Sequence, residues 1–235
     1  MSKPNETWTV APHGDLEKLG ENLYTVTGRL EMPFGETTRR MTVAKLANGR
    51  LVIYSPIALA EPQMQQLEAL GAPAFMIVPR ANHRMDIKGW KQRYPEILVV
   101  APAAVKEDIE EVIPVDQTSA DFGDPKVVLE TVPGTGEQEM SLMVETASGK
   151  TLAVADLIFN LPPIDGLAGL GLKILGFGPG HPKQPKLVKL GLIKDEDAMK
   201  AQFMRWSNDG ALERILPAHG LPIENPRDVL REIAG

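Results

Sequence analysis

Phe75-Met76-Ile77-Val78-Pro79-Arg80-Ala81-Asn82-His83-Arg84-Met85-Asp86-Ile87 is the stretch on which the fold turns. Its first four residues are apolar, and Pro79, which cannot donate to a ladder, closes them off; this reads as a short buried strand. The segment then turns polar, and a helix is expected from about Ile87 to Tyr94, stopped ahead of Pro95. A strand that empties into a loop carrying an imidazole, guanidinium groups and a carboxylate is a natural place for chemistry.

Working outward, the N-terminal side reads as strands. Leu23–Val26 is one, and Met41–Leu46 and Arg50–Tyr54 flank Asn48-Gly49, a strong hairpin signal. Between that hairpin and Phe75 the period changes: Met64, Leu67 and Leu70 recur at helical spacing before Gly71. On the C-terminal side, Ile97–Val100 is a strand and Ala103–Glu111 a helix. Val127–Val132, Ser141–Glu145 and Thr151–Ala155 make a second run of strands, with Ser148-Gly149 turning the last pair. Two helices, Asp195–Asn208 and Asn225–Ile233, close the chain around a short strand, Ile215-Leu216. Strand-rich and helical stretches therefore occur twice, which is economical for two packed sheets with helices outside.

The totals exclude several classes. The chain has 235 residues, 43% of them hydrophobic and 24% charged, an ordinary globular balance for one domain spanning 1–235. Its net charge of −6 and lack of a basic block argue against nucleic acid as a partner and leave a small molecule. Cysteine is absent, which removes disulfides, thiolate nucleophiles and thiolate-bound zinc together. Neither an apolar leader nor a run of the roughly 18 residues needed for a membrane span is visible, so no transmembrane segment and a cytoplasmic location are expected.

Four histidines are few enough to weigh singly. His83 follows the strand ending at Val78, His219 follows Leu216-Pro217-Ala218, and Asp156 ends the strand Thr151–Ala155; His13 and His181 suggest no role. A carboxylate at the end of so apolar a strand needs solvent, a partner or a metal. In order and spacing these motifs resemble the metallo-β-lactamase superfamily, over about 23–223. The superfamily's His-x-His-x-Asp-His stretch corresponds here to Asn82-His83-Arg84-Met85-Asp86-Ile87. Its Pro-Gly-His-Thr stretch corresponds to Pro133-Gly134-Thr135, its bridging Asp to Asp156, and its final His to His219 in Ala218-His219-Gly220. The resemblance implies an αββα sandwich, two mixed sheets flanked by helices, with metal-dependent hydrolysis as the usual chemistry.

The departures from that pattern carry as much meaning. Asn82, Arg84 and Thr135 stand where the first metal of the family would need imidazoles, so no two-metal site is expected. At the second position Asp86, Asp156 and His219 survive, with His83 as a further candidate ligand, while Ile87 cannot coordinate. Two readings stand. In one, a single divalent ion (zinc, iron or manganese) is held by Asp86, Asp156 and His219, and Asp86 or Asp156 acts as the catalytic carboxylate on water. In the other, no cofactor binds; Arg84 supplies the positive charge by pairing with Asp86 or Asp156, and Arg84 with His83 binds a small anion. The blander alternatives are Asp86 as a helix cap, His219 as a hydrogen-bonded turn residue and His83 as a half-exposed loop residue.

One segment remains, 157–192, crowded with Gly, Pro and apolar residues such as Ile164, Leu170, Leu172, Leu175 and Phe177. It is expected to be a lid over the pocket mouth or a contact in a homo-oligomer. Lys173, Lys183, Lys186 and Lys189 also suggest a membrane-surface patch, a reading weakened by the glycines.

Overall fold

The computed structural model of the protein describes residues 3–32, 35–164, 166–174 and 176–235. Six strands form the first sheet: β1 (Glu17–Lys18), β2 (Leu23–Met32), β3 (Gly35–Lys45), β4 (Arg50–Tyr54), β5 (Ala72–Ile77) and β6 (Leu98–Val100), hydrogen-bonded in that order. Pairing is antiparallel from β1 to β4 and parallel from β4 to β6. The second sheet has the order β10 (Leu212–Pro217), β9 (Gly149–Val154), β8 (Met140–Thr146), β7 (Val127–Thr131). Only its β10–β9 pair is parallel. Both sheets are thus mixed.

Strand periodicity makes the layers. Successive side chains point to opposite faces, and in β4 Val52 and Tyr54 enter the core between the sheets while Leu51 and Ile53 face the other way. That outer face packs against Met64 and Leu67 of α1 (Glu61–Leu70), Ile87 and Trp90 of α2 (Ile87–Arg93) and Ile109 of α3 (Lys106–Glu110). In β9, Ala153 joins the intersheet core. Leu152 and Val154 turn instead to Met199, Phe203 and Trp206 of α6 (Glu196–Ser207) and Leu230 of α7 (Pro226–Ala234). The outcome is helix, sheet, sheet, helix, as the two-fold recurrence of strands and helices implied.

Two differences from the sequence reading matter. The hairpin of β2 and β3 is much longer than expected, its register running from Leu23↔Ala44 to Met32↔Gly35. Polar residues such as Thr27, Arg29, Thr37 and Thr38 hide this extension from a hydrophobicity pattern. The 157–192 segment also contains two helices, α4 (Gly166–Ile174) and α5 (Lys186–Leu192). Leu175 lies outside the described residues.

Candidate functional site

Parallel pairing brings four strand ends together. β9 and β10 run side by side with Pro217 opposite Val154, so the chain leaves both at the same edge, and Asp156 and His219 each follow two residues later. β4 and β5 likewise end together, with Tyr54 opposite Ile77, which delivers Ser55 and the loop bearing His83. The sheets are joined across this edge by hydrogen bonds from Met140 N to the Pro79 carbonyl (3.1 Å) and from the Tyr54 hydroxyl to the Met140 carbonyl (2.8 Å).

Here the imidazoles of His83 and His219 converge on one carboxylate oxygen. Each places Nε2 3.4 Å from Asp156 Oδ1. The three ligand atoms lie within 4.8 Å of one another, and no other grouping of this kind occurs among the described residues. Asp156 uses its second oxygen for Arg80, whose Nη1 donates at 3.0 Å. The distal ring nitrogens are engaged as well. His219 Nδ1 lies 2.8 Å from the Thr38 carbonyl, which can only accept, so Nδ1 carries the hydrogen. His83 Nδ1 lies 2.8 Å from Ser55 Oγ. Phe159 stacks on His219 with ring centroids 4.9 Å apart and covers one side of the cluster.

The charge state follows from these contacts. Burial opposes ionisation of Asp156, but hydrogen bonds and positive charge from His219 and His83 outweigh it and hold the carboxyl well below its usual range. For His219, burial disfavours the cation; its contacts with Asp156 more than compensate, and its pKa is raised. Close behind lies Glu139, fully buried, whose carboxylate accepts the backbone N–H groups of Ala155, Asp156 and Leu157. Burial, reinforced by the charge of Asp156, pushes Glu139 up to about 8. Of the two carboxyls, Glu139 is the one that keeps its proton, because Asp156 has the cationic partners.

Asp86 and Arg84 call for correction. Asp86 does begin α2, yet its side chain makes no cap. It is buried against Arg39 (Nη1 at 2.5 Å), with Asn5 Nδ2 at 2.7 Å and Ala58 N at 3.2 Å, outside the His83–Asp156–His219 group. Arg84 pairs with neither Asp86 nor Asp156. It reaches α3, where it binds Glu111 at 2.8 Å and the Asp108 carbonyl. The cause is a single 3₁₀ turn, Ala81–His83, which the sequence did not signal. Arg80, extended just before the turn, and His83 at its end both reach Asp156, while Arg84 just past it reaches α3. The guanidinium expected beside Asp156 is present, but Arg80 supplies it. Thr135 is buried in its own turn, its hydroxyl bonded to the Val132 carbonyl at 2.7 Å.

Sequence reasoning missed Arg80, Ser55, Glu139 and Arg39. Ser55 carried the same signal as Asp156, a polar residue directly after an apolar strand. Its backbone is in the left-handed region at φ 56°, unusual for a residue with a side chain. Glu139, which with Glu137 precedes the apolar strand β8, gave a fainter one.

No protein-family model matches the chain, and neither does any curated protein. Solved structures do. The chain is similar to a metallo-β-lactamase from Hirschia baltica at 14% identity, the match covering 95% of this chain and 96% of that one with a TM-score of 0.59. It is similar to the metallo-β-lactamase FIM-1 from Pseudomonas aeruginosa in its mono-zinc form at 12% identity, covering 96% of each chain with a TM-score of 0.61. With the metallo-β-lactamase DIM-1 it shares 13% identity over 96% of this chain and 98% of that one, TM-score 0.62. Sheet order, layering and near end-to-end superposition agree: this chain has the metallo-β-lactamase fold.

Proposed function

We propose that the protein is a metal-dependent hydrolase of the one-metal kind, with His83, Asp156 and His219 as the ligand set. The observation that carries this reading is the pair of 3.4 Å separations between imidazole Nε2 and the same Asp156 oxygen. That spacing is at the long end of the hydrogen-bond range and equals the ~3.4 Å edge expected between ligands held ~2.1 Å from a tetrahedral ion. Two imidazoles and one carboxylate are also a common catalytic donor set, for zinc or for non-haem iron. The solved FIM-1 structure, of the same fold, is a mono-zinc form.

A divalent ion bound there supplies Lewis acidity and lowers the pKa of coordinated water. The chain's own groups prepare the site. The Thr38 carbonyl and Ser55 hydroxyl hold the two rings by their distal nitrogens, leaving both Nε2 atoms for the ligand. Arg80 fixes the orientation of Asp156 and adds a cation suited to an anionic substrate group. Glu139 clamps the turn that carries Asp156 through three successive N–H groups, and Phe159 shields His219 from water. Asp86 takes no part in this scheme.

The second reading, a metal-free protein that binds a small anion, is favoured by one contact, Arg80 on Asp156 at 3.0 Å, because that cation already offsets the carboxylate. Metal content separates the two. Protein purified without chelators is expected to carry one equivalent of zinc, iron or manganese, and His83→Ala and His219→Ala to carry none. Hydrolysis of a panel of activated esters, phosphodiesters and a chromogenic β-lactam then tests turnover. Two equivalents, or none after incubation with each metal, overturns the one-metal reading.

A further inference from the structure

The outer surface of the 157–192 segment has no place in the chemistry above. From Gly166 to Lys194 the chain carries five lysines (Lys173, Lys183, Lys186, Lys189, Lys194) and no acidic residue, although the protein's net charge is −6. Helix α5 divides cleanly. Leu192 and Val188 face the core, whereas Leu187 and Leu190, three residues apart on the opposite face, are 51% and 81% exposed. Leu170 of α4 is 54% exposed. The two helices adjoin, since a Cβ added at Gly176, just past α4, would lie 2.8 Å from the Lys186 side chain at the start of α5.

We propose that this face docks on an anionic lipid bilayer, the leucines entering the interface and the lysines resting on the headgroups. Charge selects the occupant. A second copy would set lysine against lysine, and exposed leucines would be wasted on a nucleic-acid backbone. Exposed leucines flanked by lysines are what a shallow, reversible contact with acidic lipid requires. Among the described residues, Lys189 of α5 makes an exposed pair with Glu196 at 3.2 Å, which water weakens. The surface is also continuous with the candidate site. Phe159, stacked on His219, contacts Phe177 at 5.4 Å between centroids and exchanges backbone hydrogen bonds with Lys183.

Co-sedimentation of the full chain with phosphatidylcholine vesicles, with and without phosphatidylserine, tests the proposal. Binding is expected only with the acidic lipid, to weaken with salt, and to persist after metal is stripped by chelator, which separates it from the metal reading. Replacing Lys183, Lys186 and Lys189 by Gln should weaken it on the order of a hundredfold. The Leu187→Ser/Leu190→Ser variant should weaken it about tenfold or more, and the tryptophan of Leu190→Trp should shift its emission to the blue on vesicles. Those positions are exposed, so folding is not at stake, and circular dichroism checks it. The proposal is overturned by absence of binding at low salt, or by binding indifferent to the leucines and competed by polyglutamate, which would indicate an acidic protein partner. A dimer in solution that Leu190→Ser dissolves would overturn it too.

Discussion

The pairing of Arg39 with Asp86 yields a prediction whose size follows from the structure. Their side chains are 9% and 1% exposed, and the ion pair spans 2.5 Å. In an Arg39→Met variant the methionine fills part of the vacated volume, but Asp86 keeps only two neutral donors, Asn5 Nδ2 and Ala58 N. Breaking one side of a buried pair costs ~3–5 kcal/mol, because the remaining charge stays buried without a counter-ion. For a chain of this length each kcal/mol moves the melting temperature by roughly 2–4 °C, so a drop of about 6–20 °C is expected. The Arg39→Met/Asp86→Leu double variant removes both charges and should regain at least half of the loss. Urea and thermal unfolding of the parent, both single variants and the double variant measure this directly. If Arg39→Met costs less than ~1 kcal/mol, or if the double variant is as unstable as the two singles added, the ion-pair account of Asp86 is wrong. The same set bears on the site: metal content of Asp86→Asn should match the parent, and loss of metal would return Asp86 to the ligand set.

Two more predictions concern groups behind the imidazoles. Glu139, raised from its ordinary value of 4.5 to about 8, holds a proton in the folded chain that the unfolded chain has released across that window. Stability of the chelator-treated protein should therefore fall as pH rises from about 4.5 to 8. Glu139→Gln should remove most of that slope and be the more stable form above pH ~8; an unchanged slope in the variant counts against a protonated Glu139. At Ser55, Ala deletes the hydroxyl facing His83 and should lower metal affinity about 10–100-fold. Ser55→Gly, which also relieves the left-handed backbone at φ 56°, should lose affinity similarly but be more stable than Ser55→Ala by about 1 kcal/mol. Equal stability of the two variants would show that the backbone there is not strained.

Much of the fold was legible because it rests on local periodicity. Leu51 to Tyr54, Phe75 to Val78 and Leu152 to Val154 each declare a strand by composition, and Met64, Leu67 and Leu70 declare a helix by spacing. The helix-sheet-sheet-helix order follows from their sequence along the chain. Asp156 and His219 were legible for the same reason, as polar residues at the ends of apolar strands. The grouping of ligands was not. Whether His83, Arg84 or Asp86 meets Asp156 depends on one 3₁₀ turn, a rotation of the loop that no hydrophobic period records. The identity of the paired arginines was equally hidden, since Arg39 and Arg80 lie 47 and 76 residues from their carboxylates. Sequence sets which residues are available at a strand end, through patterns of a few residues; which of them meet is decided by strand register and by the turn between, and both are properties of the packed chain.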